Sequence, residues 1–392
     1  MSIKRSEARS EIGTSQTGQV RVVVAPDSFG GTLSAARAGA AIAAGWGDVA
    51  PADEAVLRPL SDGGPGFVDV LRSAVDGASR PVRATDPLGR EVTGEVFVSG
   101  RTAYVESAQA CGLHLLTLAE RDPLVASSYG LGSLLAAAAG SGVDTVVVGL
   151  GGSATNDGGA GVLAALGAVP VDDSGAALPP GGAALSRVAR IEGLPRLTGV
   201  RLVVASDVDN PLLGTSGASA VFAPQKGGSP EDVRVLDRAL SAWARALVGL
   251  PGCPPGVAGL PGAGAAGGIG AALLALGATF ESGIGLVRRL IGFDRALEGA
   301  GLAITGEGSF DGQSLRGKVV TGVAAAAAER GLPCLVIAGQ VSVGRREWAA
   351  AGINAAYSLA DHVGSVRQAM SQPEAGLRSL SAVVAKHWST SP

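Results

Sequence analysis

The stretch TVVVGLGGSATNDGGAG, from Thr145 to Gly161, decides the reading of the fold. It opens as an apolar, β-branched run, Thr145–Val148, passes through a loop of glycines and small polar residues, and enters an apolar helix around Val162–Leu166. A short run that is apolar on both faces belongs to a parallel sheet covered by helices on each side. The same unit of strand, Gly/Asp/Ser loop and Ala/Leu-rich helix recurs at Val22–Ala25, Arg201–Ala205, Leu302–Thr305 and Leu335–Ala338. That repetition predicts an α/β protein.

The chain has 392 residues, more than one ordinary core holds, which predicts two α/β domains. Strands near both ends share one texture. They predict a discontinuous flavodoxin-like (Rossmann-like) domain, residues 20–78 and 290–390, interrupted by a second α/β domain, residues 79–289, with a cleft between them. Between Pro81 and Val105 the pattern changes to alternation around the turn Asp86-Pro87-Leu88-Gly89, an antiparallel meander. Residues 1–19 are polar, lack an apolar leader core and are expected to be a disordered tail.

Composition narrows the function classes. A net charge of -3 with no basic run argues against nucleic acid as a partner. No apolar run is long enough to span a bilayer, so a cytoplasmic protein without a membrane partner is expected. Cys111, Cys253 and Cys334 stand singly and the three histidines show no ligand spacing, which speaks against a disulfide framework or a zinc site. Glycine is abundant, 61 residues, roughly twice the usual share of about 7%, and no repeat absorbs it.

In open parallel sheets ligands bind beyond the carboxyl ends of the strands, so the loops there carry the chemistry. In the opening stretch, Gly151 and Gly152 let backbone approach an anion, Ser153, Thr155 and Asn156 add donors, and Asp157 is a local acid for metal or proton handling. The loop at Asp27-Ser28-Phe29-Gly30-Gly31 pairs an acid with a hydroxyl. In Ser61-Asp62-Gly63-Gly64, a carboxylate beside exposed amides suits Mg²⁺ or a hydroxyl proton. Asp207 and Asp209, followed by Asn210, can share a cation or orient a hydroxyl. Glu307 and Asp311 sit among glycines after Leu302–Thr305. The chain holds only four lysines, and the two internal ones, Lys226 (after Gln225) and Lys318, lie in such loops. An ammonium there can follow a migrating phosphoryl group. Two patterns fail on context: Gly262–Gly267 fits GxGxxG without a preceding strand, and Gly312–Lys318 misses the P-loop hydroxyl at Val319.

Taken in order, APDSFGGTLSA, PLSDGGPGF, VESAQACGL, GLGGSATNDGGAGVLAALGA, DVDNPLLG, FAPQKG, PGAGAAGGIG and TGEGSFDGQSLRGK resemble the type I glycerate kinase family from Val22 to about Val341. The resemblance implies the interrupted flavodoxin-like fold, ATP and Mg²⁺ as cofactors, and a small hydroxy acid as partner. The reaction it implies is transfer of the γ-phosphate to a hydroxyl of D-glycerate, typically giving 2-phosphoglycerate, by a monomer or homodimer. Carried onto this chain, the catalytic candidates are Asp27, Asp62, Asp207, Asp311 and Lys318. Gly151, Gly152, Ser153, Thr155, Asn156, Asp157, Gln225, Lys226 and Glu307 are cofactor-binding candidates. Ser28, Gly63, Gly64, Asp209, Asn210 and Arg316 are substrate-binding candidates, and Asp207 with Asp209 the metal ligands. The base stays open among Asp27, Asp62, Asp157, Asp207 and Asp311. The family usually has Lys at Gly30, Glu at Pro65, Thr at Phe67 and Arg at Ser309. These departures raise the alternatives of a shifted hydroxy-acid acceptor, with Phe67 and Phe310 lining a more apolar pocket and Arg58 or Arg316 replacing lost charge, or a catalytically silent homologue.

Overall fold

The computed structural model describes residues 19–389 apart from residues 198 and 316. Residues 1–18 of the expected tail, and the substrate-binding candidate Arg316, lie outside the described residues. Among the described residues the largest sheets have five and six strands.

The five-stranded sheet runs Ala355–Ser358, Cys334–Ala338, Leu302–Thr305, Arg21–Val24, Glu54–Leu57 across, and each neighbouring pair is parallel. Numbered along the chain, that order is 2-1-3-4-5, the flavodoxin-like order expected from the termini. The chain leaves after its second strand, at Leu57, and returns at Leu302. The excursion builds the six-stranded sheet, ordered Thr279–Glu281, Arg201–Ala205, Thr145–Gly149, Thr102–Glu106, Glu91–Ser99 and Ala78–Thr85. Its first four strands are parallel and the last two antiparallel, so the expected meander forms its edge.

The two sheets share a layer of helices. One buried cluster joins Val23, Ala303 and Val336 of the first sheet to Phe97, Tyr104, Val147 and Val203 of the second, through the helices Phe67–Ala74, Gly283–Leu290 and Val319–Ala328. Phe67 and Phe310 belong to this core and are fully buried. They fill the space between sheets and do not line an acceptor pocket, which corrects that expectation.

Behind the second sheet, the helix Pro230–Leu247 shows how local sequence positions the site. Ser229 and Asp232 form a reciprocal cap at its start. Leu236, Leu240, Trp243 and Leu247, spaced three or four apart, make its buried face together with Ala239. The Trp243 indole then donates to the Gly158 carbonyl at 2.8 Å, fixing one end of the glycine-rich loop.

Candidate active site

In a sheet of this order, ligands bind where the first and third strands diverge. Here the loops after those strands carry Asp27 and Glu307, and the Asp27 N–H donates to the Gly306 carbonyl at 2.8 Å. The Asp27 carboxylate accepts the Ser28 N–H at 2.6 Å. The loop after Glu54–Leu57 adds Asp62, one oxygen of which accepts the Gly64 N–H at 3.0 Å. Its other oxygen stands 4.0 Å from the Lys318 ammonium, at the cap of the helix Val319–Ala328. Asp311 accepts the Gln313 N–H at 2.8 Å in the loop leading to Lys318.

The second sheet closes on this group from the other side. The methylene of Gly63 lies so near the Ala205 carbonyl that a side chain there would collide with it. Beyond Ala205, Asp207 accepts the Ile284 N–H at 3.1 Å, at the start of the helix Gly283–Leu290. The structure therefore brings Asp27, Ser28, Asp62, Gly63, Gly64, Asp207, Glu307, Asp311 and Lys318 together from loops far apart in sequence.

Electrostatics follow from this crowding. Burial pushes Asp27 well above the usual carboxylate range; the charges of Asp62 and Glu307 push it further, against the Ser28 N–H and Lys318. Burial raises Glu307 to about 7, opposed by Ser314 and Lys318. One Glu307 oxygen is buried without a hydrogen-bond partner. Asp207 is raised by burial and, less, by Asp62, while Ser282 and Ile284 pull it down. Glu307, raised to about 7 beside Lys318 and the raised Asp27, can hold and pass a proton near neutrality.

The glycine-rich loop is arranged differently from the sequence expectation. Ser153, Thr155, Asn156 and Asp157 are all buried, and only Gly151 and Gly152 reach the surface. Asp157 accepts from the Ser128 N–H and hydroxyl, both at 2.8 Å, and from the Gly159 and Gly161 N–H groups. Its oxygens are committed to tying the loop down. Lys226 is 2% exposed and donates to the Ser153 hydroxyl at 3.0 Å and the Thr155 carbonyl at 2.7 Å, beneath the loop and not on its open face. Asn156 donates to Ser219 at 2.9 Å. Asn210 donates to the Ser216 carbonyl at 2.9 Å within its own loop, while Asp209 and Gln225 are exposed.

Burial lowers Lys226 to about 7, with Asp157 and Cys111 acting in the opposite sense. Between that value and its ordinary 10.5 the unfolded chain holds a proton that the folded chain lacks. Its contribution therefore makes stability rise with pH across this window and adds no slope below it. Denaturant titrations of Lys226→Met and the unaltered protein should show the variant losing this rise. Parallel curves for the two proteins from pH 7 to 10 would show that Lys226 stays charged in its site.

Residues missed by sequence reasoning are those whose partners are distant. Ser128 meets Asp157, and buried Glu106 accepts the Val68 N–H at 3.3 Å, capping the helix Phe67–Ala74. Ser282 alone left a local signal, a Ser before the apolar helix whose Gly285 N–H it accepts.

No group of three or more His, Cys, Asp or Glu among the described residues is placed to hold a metal. Asp207, half-buried against the Ile284 N–H, and exposed Asp209 lie two residues apart on one loop.

The profile of the glycerate kinase family matches residues 22–389. A Mycobacterium bovis protein, itself uncharacterized, is 45% identical over 95% of this chain and 93% of its own length. The glycerate 2-kinase of Escherichia coli K12 is 41% identical over 89% of this chain and 93% of its own. A solved structure from Salmonella typhimurium LT2, assigned to glycerate kinase 2, superposes with a TM-score of 0.76 at 38% identity, covering 94% of this chain and 98% of that one. The chain belongs to the glycerate kinase family, kinases that phosphorylate a hydroxyl group.

Proposed function

We propose that the protein transfers the γ-phosphate of ATP to the 2-hydroxyl of D-glycerate, giving 2-phosphoglycerate, in the cleft between its two sheets. In this reading the sheets mark two domains, residues 20–78 with 290–390 and residues 79–289, acting in the cytoplasm as a monomer or homodimer. The observation that carries the reading is the convergence of Asp27, Asp62, Glu307 and Lys318 at the strand switch point, with Gly151 and Gly152 lying against Gly64 and Pro65 just after Asp62.

ATP with Mg²⁺ supplies the phosphoryl group; Gly151, Gly152 and Lys318 would hold its phosphates and Asp207 with Asp209 its metal. Asp27 accepts the proton of the attacking hydroxyl, because burial and its acidic neighbours make its carboxylate an unusually strong base. Glu307, shifted to about 7, sits beside it to relay that proton. Lys318 offsets the charge gathering between substrate and carboxylates. Asp157 and Lys226 support the glycine-rich loop from below.

The acid limb of kcat/KM tests the base assignment. Activity needs ionised Asp27, so it should rise with pH through a pKa well above the ordinary carboxylate value. Asp62→Asn removes a charge that raises that pKa, so the limb should move to lower pH; Lys318→Met removes one that lowers it, so the limb should move up. A limb that stays in place in both variants rules out Asp27 as the base.

A second reading, a shifted acceptor, rests on Gly30 and Ser309, both exposed where the family usually carries Lys and Arg. A side chain at Gly30 meets nothing within 4 Å, so restoring the charge causes no clash, only the cost of about 1–2 kcal/mol for a non-glycine residue at φ 51°. Under that reading Gly30→Lys with Ser309→Arg raises kcat/KM for D-glycerate by about 10²-fold, the scale of one preorganised contact. An unaltered chain that already turns over D-glycerate at about 1–100 s⁻¹, as kinases ordinarily do, would favour the first reading.

A further inference from the structure

A groove of about 400 Å³ runs along the open edge of the five-stranded sheet, lined by Arg21, Glu54, Val56, Arg58, Arg295 and the corner Ile291–Gly292. Its floor is the face of the edge strand Glu54–Leu57, continued by Arg58, whose N–H donates to the Val24 carbonyl. Its far wall is the turn joining the helix Gly283–Leu290 to Phe293–Ala296.

We propose that this groove binds a small phosphomonoester at a site separate from the catalytic cleft. The guanidinium charges are unequally committed. Arg21 pairs with Glu54 at 2.9 Å and also reaches the Glu298 carbonyl. Arg58 makes one hydrogen bond, to the Leu57 carbonyl at 2.8 Å, and its Nε is buried with no partner. Arg295 is exposed on the opposite wall. Arg58 and Arg295 thus present donors in the planar fork that matches phosphate oxygens. Val56, Ile291 and Ala296 give the carbon skeleton an apolar rest, and Glu54 at the rim suits a ligand hydroxyl. The volume lies in the range of small-metabolite pockets, about 300–1,000 Å³.

Separation from the cleft follows from one helix. Gly283–Leu290 starts against Asp207, through the Ile284 N–H, and its other end delivers Ile291 and Gly292 to the groove. Eight helical residues span roughly 12 Å. Arg58 therefore does not replace charge missing from the cleft, since its side chain lines this groove.

The inference does not depend on the proposed reaction, and its test can be read without turnover. Glycerol 3-phosphate and inorganic phosphate are titrated calorimetrically into the full chain, its Arg58→Gln/Arg295→Gln and Arg295→Gln variants, and Lys318→Met. Saturable binding to the unaltered protein with Kd near or below ~1 mM is expected. The double variant should weaken it at least about tenfold, the scale of a lost charge-assisted contact, and the surface variant Arg295→Gln should weaken it measurably with an unchanged melting temperature in phosphate-free buffer. Lys318→Met should bind as the unaltered chain does. Absence of saturable binding, equal binding by both arginine variants, or loss of binding in Lys318→Met would each overturn the proposal.

Discussion

Replacing Lys318 by Met is expected to lower kcat by about 10²–10³, the cost of removing one preorganised electrostatic contact from a reaction centre. The ammonium stands 4.0 Å from Asp62 and offsets both Asp27 and Glu307. Phosphoryl transfer asks little covalent chemistry of a protein, so loss of charge neutralisation falls on the rate. KM for ATP should change less than kcat if Lys318 acts mainly on charge that develops during transfer. Steady-state kinetics with ATP and D-glycerate measure both. A variant within threefold of the unaltered kcat would remove Lys318 from the reaction centre.

The second large effect is on folding. Gly267→Ala adds one methyl group, but Gly267 sits at φ 73° and that methyl would run into the Thr155 carbonyl, the same oxygen that Lys226 holds. A left-handed backbone conformation costs a non-glycine residue about 1–2 kcal/mol, and overpacking a rigid interior adds about 1–3. Denaturant unfolding should show a loss of about 3 kcal/mol, with activity falling as the glycine-rich loop is displaced. Ala266, already at φ 52°, shows that this turn stores strain. An unchanged midpoint would mean that the loop and the kinked helix start Ala265–Gly268 yield freely. Gly152→Val in the glycine-rich loop meets the same two costs. Gly152 lies at φ 66° against the Pro65 ring, so that variant should melt lower even without nucleotide.

The fold was legible where it is written in local pattern. Arg201–Ala205 and Leu302–Thr305 are strands with the bounds read from their apolar runs, and the run read as Thr145–Val148 extends one residue to Gly149, because strands buried on both faces cannot hide among polar residues. The chain's excursion between the second and third strands of the first sheet was legible from texture at the two ends. The layer of helices shared by the sheets was not, since nothing local says that Phe67 packs toward Tyr104 across the interface.

In the glycine-rich loop the side chains turn inward, away from the open face that the local pattern suggests. Ser153, Asn156 and Asp157 have the composition of a phosphate cradle, yet their polar groups face inward to Lys226, Ser219 and Ser128. Polar residues in a glycine-rich loop can serve a ligand or the loop itself, and only long-range partners distinguish the two. Ser128 and Ser219 lie 29 and 63 residues away from theirs, beyond the reach of any local pattern. Phe67 and Phe310 misled for the same reason, being cleft-loop residues in sequence and core residues in space.

The central claim, phosphorylation of the 2-hydroxyl of D-glycerate in the cleft marked by Lys318, is tested most directly by phosphorus NMR. The unaltered chain and Lys318→Met are each incubated with D-glycerate, ATP and Mg²⁺, and the phosphorylated products are identified against authentic standards. The account predicts that 2-phosphoglycerate accumulates as ATP is consumed with the unaltered protein and only in trace with the variant. Formation of 3-phosphoglycerate, equal product from both proteins, or a folded, ATP-binding chain that leaves D-glycerate unphosphorylated would contradict it.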